Sequence, residues 1–211
     1  MKKFITYISM QPENNLNKVK YEPVDDDNLH VEQPVCFPVS VLVDNYVDKG
    51  EKIEVLCLKE INNPNIERNY EILQNEIGEI LKDRGVECVF RKLELSDEEN
   101  IDSHLNTFAK IIDCIDEGDK VYACATYGTK PIPVVEMMAL DYAYRVKKNV
   151  SVESVVYGKI DRRNKDKIIA KLYNITALFF MSQIVGHLAD QKVADPEKMI
   201  RNLLGLGIGE V

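Results

Sequence analysis

The sequence predicts an α/β protein with a doubly wound, mostly parallel Rossmann-like sheet of six strands, an antiparallel last strand and C-terminal helices. Short apolar, β-rich runs alternate with segments whose apolar residues recur at three and four positions. Each helical segment is long enough to cross over between parallel strands, which two-residue turns cannot do. Only the last two strands are joined by a short polar segment, so they form a hairpin.

The first strand is the apolar run Phe4–Ile8, and a polar segment without periodicity follows it to about Gln33. A loop of this length is usually functional. Residues 34–50 have helical spacing, and Lys52–Leu58 is the second buried strand.

The middle of the chain repeats the alternation of helix and strand. One apolar helical stripe consists of Ile66, Tyr70, Leu73, Ile77, Ile80 and Leu81. A third strand begins at Val86, and Ser96-Asp97 are expected to cap a helix that runs to about Ile115. The predicted elements that follow are a strand at 120–125, a helix at 131–148 and a strand at 151–157.

The last part of the chain completes the sheet and adds helices. Residues 159–167 are polar and suit a hairpin tip, and Ile168–Tyr173 return as the sixth strand. A helix follows from about Thr176 to Ala189. We therefore expect one ligand-binding domain over residues 1–190, and a short helix and tail over 191–211 that could link to an effector domain.

Composition excludes several classes of protein. With 45% hydrophobic residues the 211-residue chain can bury a core, and its net charge of −8 argues against a surface that coats long nucleic acids. No signal peptide or membrane span is expected. The five cysteines lack CxxC spacing and are interpreted as reduced residues of a cytoplasmic protein. The scattered histidines suggest no metal site.

The candidate site lies in the loops that follow the first and fourth strands, where an open α/β sheet binds its ligands. The first loop offers Ser9, Met10, Gln11 and Asn14, and the second offers Thr126, Tyr127, Gly128, Thr129 and Lys130. Pro131 then begins a helix, whose N-terminus suits a phosphate. The alternative is an ordinary turn in which Thr129 caps the helix. Neither a P-loop nor a Gly-x-Gly-x-x-Gly fingerprint is present.

Three features together resemble the CARF domain, the CRISPR-associated Rossmann fold of type III CRISPR signalling. The first strand ends at Ile8-Ser9 before a long polar loop, and the chain closes with an antiparallel strand and a helix. The family pattern Asp-x-Thr-x-Gly-x-Lys/Arg corresponds to the segment from Cys124 to Lys130, with cysteine in place of the frequent aspartate.

The resemblance implies a sensor of cyclic oligoadenylate in antiviral defence that acts as a two-fold homodimer, without a cofactor. Of the possible rings, the tetra-adenylate is favoured over the hexa-adenylate. Ser9, Met10, Gln11 and Asn14 would contact ribose and base, residues 126–130 would hold phosphates, and Tyr127 would stack on adenine. The loop at Lys59 could add base contacts.

Two alternatives stay open. Some CARF proteins are ring nucleases that cleave their own activator by attack of the ribose 2′-hydroxyl. In that case the candidate catalytic residues are Lys130, which would stabilise charge, and Ser9 or Thr126, which would orient the hydroxyl. The second alternative is an α/β enzyme of nucleotide metabolism, for which no acid–base pair is evident.

Overall fold

The α/β class is confirmed by a computed structural model that describes residues 1–24, 26, 28–161 and 168–203. The strands are β1 (Lys2–Tyr7), β2 (Glu22–Val24), β3 (Lys52–Glu60), β4 (Glu87–Leu95), β5 (Lys120–Cys124), β6 (Ser151–Asp161) and β7 (Ile169–Asn174). The helices are α1 (Pro38–Tyr46), α2 (Ile66–Leu81), α3 (Ile101–Asp113), α4 (Pro131–Val146), α5 (Thr176–Asp190) and α6 (Pro196–Leu203).

All seven strands form one sheet in the order β2-β7-β6-β5-β1-β3-β4. Every pairing is parallel except the β6–β7 hairpin. The expected count of six strands is one too low, because β2 pairs with β7 inside the segment predicted as a loop. A three-residue strand that contains Pro23 is too short to show alternation in the sequence.

Helices cover both faces of the sheet. On one face, Phe4 and Tyr122 stack beneath α1 and α2, within the main apolar core. The residues next to them in the strands, Ile5 and Ala123, are also fully buried and point to the opposite face. There α3 and α4 pack against each other and against β4 and β6.

Several element boundaries differ from the sequence prediction. Helix α3 is capped by Asn100, whose Oδ1 accepts from the Ser103 N–H at 2.9 Å, so the expected cap at Ser96-Asp97 is wrong. Ser96 instead accepts from the N–H of Glu98 in the preceding turn. Helix α1 is shorter than predicted, because the segment before Pro38 is extended.

The chain divides into two compact units, Met1–Thr176 and Ala177–Val211. The first unit holds the whole sheet, and the second holds most of α5 and all of α6. The domain end expected near residue 190 stays a prediction. Most of the predicted hairpin tip (162–167), Asp25, Asp27 and the tail from 204 lie outside the described residues. No helix in the described ranges is long and apolar enough to cross a membrane.

Candidate functional site at the carboxyl edge of the sheet

The predicted switch point lies between β1 and β5. Strand β1 is paired with β5 on one side and with β3 on the other, and Thr6 is in register with Cys124 and Cys57. The loops that follow β1 and β5 therefore begin side by side, as the sequence predicted. In a sheet with this order, ligands bind in the crevice beyond these strand ends.

The loop after β1 begins with a buried turn. Ser9 is fully buried, and its Oγ accepts from the Gln11 N–H at 3.2 Å. Met10 and Gln11 are partly exposed, and Asn14 is exposed in a short 3₁₀ turn, Glu13–Asn15. Ser9 therefore shapes the loop, while the other three predicted residues offer surface to a ligand.

One buried side chain of α2, Asn69, fixes this loop. Its Nδ2 donates to the carbonyl oxygens of Ser9 at 2.6 Å and Gln11 at 2.9 Å. Asn69 is completely buried. The sequence analysis did not single it out. The available signal was a polar residue next to the predicted apolar stripe, in the first turn of the helix.

Two further side chains at the N-terminal end of α2 also bind carbonyl groups of the loop after β1. The Nδ2 of Asn65 donates to the Met10 carbonyl at 3.1 Å, and Nη2 of Arg68 donates to the Gln11 carbonyl at 3.1 Å. Arg68 also donates through Nε and Nη2 to Oδ1 of Asn69, at 3.1 and 2.8 Å. The carbonyls of three successive loop residues are thus all held from α2.

The loop after β5 is anchored at Thr126. Its Oγ1 accepts from the Gly158 N–H at 2.9 Å and lies 3.1 Å from Sγ of Cys124. Burial raises the pKa of Cys124 to about 12, so this thiol is neutral at physiological pH. The chain accordingly has no carboxylate at the position where CARF proteins often have aspartate.

Tyr127 points into the protein. Its hydroxyl donates to the carbonyl of Cys36 at 2.8 Å, and its ring meets Phe37 edge-on with the centroids 5.6 Å apart. Burial raises the pKa of Tyr127. The side chain is therefore committed to packing against the segment before α1, and its expected role in stacking on adenine stays a prediction.

Gly128, Thr129 and Lys130 lead directly into α4. Gly128 has φ +101°, a conformation that favours glycine, and a Cβ there would make a tight 3.1 Å contact with the ring of Tyr7. Thr129 does not cap the helix: the N-cap position is Lys130, without a side-chain cap, and α4 begins at Pro131. Lys130 is exposed, which leaves its ammonium group accessible beside the helix N-terminus.

The charge along this edge of the sheet is uneven. A small cleft of about 10 Å³ near β3 and β4 contains Glu60, Asp97, Glu98 and Glu99. The hydroxyl of Tyr7 donates to Glu60 at 3.1 Å. Thr129 and Ile132 also line this cleft, so the carboxylates lie beside the start of α4, and an anionic ligand at Thr129 requires the exposed Lys130 to offset their repulsion.

The loop at Lys59 was expected to add base contacts, but Lys59 itself is not available for them. Lys59 lies within the strand, is buried and pairs with Glu67 of α2, so its ammonium is already neutralised. The asparagine that acts at this end of β3 is instead Asn65, through its bond to the loop after β1.

A larger cavity lies elsewhere, between α1, α2 and residues 30–35. It has a volume of about 430 Å³ and groups of both charges. Arg84 is engaged by Asp44 and two backbone carbonyls, and Glu76 accepts three hydrogen bonds from the start of α1. Arg84 and Glu76 are thus each engaged within the protein, and in the described residues no three His, Cys, Asp or Glu side chains are grouped as metal ligands.

The fold and the site together define a Rossmann-like α/β domain with a candidate anion site at its switch point. No protein-family model and no curated protein matches the chain.

Proposed function

We propose that this protein is a sensor that binds a cyclic oligoadenylate, with the tetra-adenylate favoured, as in the CARF domains that its sequence resembles. The observation that supports this proposal most directly is the position of the β5–α4 loop. Its exposed glycine and lysine lie at the head of a 16-residue helix, next to the loop after β1. The helix dipole and the Lys130 cation favour an anion at this end, although in the first turn of α4 Pro131 and Pro133 have no N–H and that of Ile132 already donates to the Thr129 carbonyl at 3.0 Å.

The structure supports a division of labour among the candidate residues. On this proposal Gly128, Thr129 and Lys130 hold the phosphate groups, and the exposed surface of Met10, Gln11 and Asn14 contacts ribose and base. Ser9 and Thr126 shape their loops through backbone hydrogen bonds. An overall acidic chain can then hold a small anionic ring through a local site.

The same contacts favour a sensor over a ring nuclease. The hydroxyls of Ser9 and Thr126 already accept backbone N–H groups. To orient a ribose 2′-hydroxyl they would have to serve this role in addition to their structural one. Lys130 alone can stabilise charge, but it does not supply a base.

The proposed sensor acts as a two-fold dimer, and the face formed by α3 and α4 is suited to the pairing. Large apolar side chains on this face are exposed: Ile101 by 68%, Val134 by 61%, and Leu105 and Met138 by 56% each. Exposed apolar side chains grouped on two neighbouring helices are typical of an interaction surface. Helices of 13 and 16 residues are about 20 and 24 Å long, so the face covers roughly 500 Å² on each copy, and the total of about 1,000 Å² is at the minimum for a specific interface.

Charge favours contact between α3 of one copy and α4 of the other. Residues 97–113 contain five carboxylates and one lysine, whereas residues 130–148 contain four cations and, apart from the buried Glu136, one carboxylate. Both helices follow parallel strands and run in the same direction. A two-fold axis along them places α3 on α4 of the partner, and brings both candidate sites to one end of the dimer.

Calorimetry with a panel of rings tests the binding proposal. We expect the protein to bind cyclic tetra-adenylate more tightly than the tri- or hexa-adenylate, and Lys130→Ala to weaken binding about tenfold to a hundredfold. Lys120→Ala, at the opposite end of β5, is the matched control and should bind normally. Chromatography of the ligand afterwards should show intact ring. Linear products would indicate the nuclease, and the absence of binding to any ring would overturn the proposal.

A further inference from the structure

We propose that Asn69 and Arg68 are positioning residues of the ligand site, which hold the loop after β1 in its binding conformation. This inference rests on the proposed function and assigns it two residues outside the sequence motifs. Neither residue belongs to the loops after β1 and β5. Both act from the first turn of α2, through hydrogen bonds to backbone carbonyl groups.

The hydrogen bonds of Asn69 determine which backbone groups of the loop face a ligand. The N–H and C=O of one peptide unit point in opposite directions. Because Nδ2 of Asn69 holds the Ser9 carbonyl, the N–H of Met10 points away from Asn69. Within the described part of the chain, this N–H has no protein acceptor. It is therefore a donor that the fold leaves for a ligand.

Arg68 supports this geometry in two ways. Its guanidinium binds Oδ1 of Asn69, which orients the amide so that Nδ2 faces the loop. It also donates to the Gln11 carbonyl, and its remaining Nη1 lies 3.7 Å from the carboxylate of Glu13. The planar fork of arginine is thus used for several contacts at once, which a lysine ammonium cannot reproduce.

Three classes of variant test this inference by titration with cyclic tetra-adenylate at several salt concentrations. Asn69→Ala removes the donor to the loop. Arg68→Lys keeps the charge but loses the fork, and Lys130→Ala removes the proposed phosphate contact. Two controls lie further along α2: Asn75→Ala, which is exposed, and Ile77→Val, which trims a fully buried residue.

We expect Asn69→Ala and Arg68→Lys each to weaken binding about tenfold or more, without changing the slope of log affinity against log salt. A loss of preorganisation leaves the number of phosphate contacts unchanged, whereas Lys130→Ala should make the slope shallower. Ile77→Val should lower the melting temperature without changing affinity, which separates positioning from general destabilisation.

Two results overturn the inference on its own: normal affinity of Asn69→Ala, or normal affinity of Arg68→Lys. The second result would show that the site needs only the charge of residue 68 and not the guanidinium fork that holds the loop. If the unaltered protein binds no ring, the proposed function fails and this inference fails with it. Measuring the unaltered protein first distinguishes the two failures.

Discussion

Glu136 is the residue at which burial and polarity conflict most strongly. It lies on the inner side of α4 with 2% of its surface exposed, and its Oε1 has no hydrogen-bond partner. Burial raises the pKa of Glu136 to about 8. In the native protein the Glu136 carboxyl group therefore keeps its proton at neutral pH, whereas in the unfolded chain it loses the proton near the ordinary pKa of a glutamate.

The proton on Glu136 makes stability depend on pH. Because the pKa is raised in the folded state, stability is greatest below the unfolded pKa, falls as the pH rises towards 8 and is constant above it. As the pH rises from 4.5 to 9, the free energy of unfolding of Glu136→Gln should increase by roughly 3–5 kcal/mol relative to that of the unaltered protein. Denaturant unfolding at several pH values measures this. A gain that is the same at every pH would contradict the assignment.

Gly158 allows a close approach between β6 and the first residue of α1. A Cβ at this position would lie 2.5 Å from Cγ of Pro38 and 3.1 Å from the ring of Tyr21. We expect Gly158→Ala to cost about 1–3 kcal/mol through overpacking. Gly78→Ala is the matched control, because it lies in α2 with open space around it and should stabilise the protein by about 0.5–1 kcal/mol. Thermal unfolding compares the two, and equal effects would exclude the steric account.

At the scale of elements, side chains of α2 bind backbone groups at the start of α1 and in the loop after β1. Glu76 of α2 accepts from the backbone N–H groups of Cys36 at 2.6 Å and Phe37 at 3.1 Å, and from Oγ of Ser40 at 2.5 Å. The carboxylate thus occupies the N-terminal end of α1, where the helix dipole favours negative charge. At its own N-terminal end, α2 holds the loop after β1.

Removal of the Glu76 carboxylate should destabilise α1. We expect Glu76→Gln to cost about 1–3 kcal/mol, because the amide NH₂ group faces donors that then lack an acceptor. Glu79→Gln, one turn along and exposed, should change the free energy of unfolding by less than about 0.5 kcal/mol. Chemical unfolding of both variants measures the difference. Similar losses in both would show that the contacts of Glu76 carry no stability.

The elements themselves were largely predictable from the sequence, because their signals are local. The apolar stripe of α2 and the continuous run of β3 require only a few neighbouring residues. Contacts between distant residues left no such signal. The bonds from Asn69 to the loop after β1 and from Glu76 to the start of α1 join positions about 60 and 40 residues apart.

In the candidate site too, local features could be predicted from the sequence and contacts between distant residues could not. Its location at the ends of β1 and β5 followed from the alternation of strands and helices, and the positive φ of Gly128 suits its place in the predicted loop. The direction of Tyr127 could not be predicted, since it depends on the Cys36 carbonyl on a distant segment. The capping asparagine of α3 was missed because Ser96-Asp97 offered an equally good local signal.

At the scale of the whole molecule, the proposed α3–α4 face predicts a dimer of twice the 24.1 kDa chain mass. We expect Leu105→Asp and Met138→Asp each to give a monomer, since either would bury a charge in the interface. Ile169→Asp, at a similarly exposed apolar residue of β7, should remain dimeric. Light scattering after gel filtration measures the mass. A monomeric unaltered protein would contradict the proposed pairing.

A calorimetric titration of the unaltered protein with cyclic tetra-adenylate tests the central claim most directly, because it reports affinity and stoichiometry together. A two-fold sensor with both candidate sites at one end predicts tight binding of one ring per two chains, and release of intact ring afterwards. One ring per chain would contradict the shared site. No heat of binding with any ring would contradict the sensor itself.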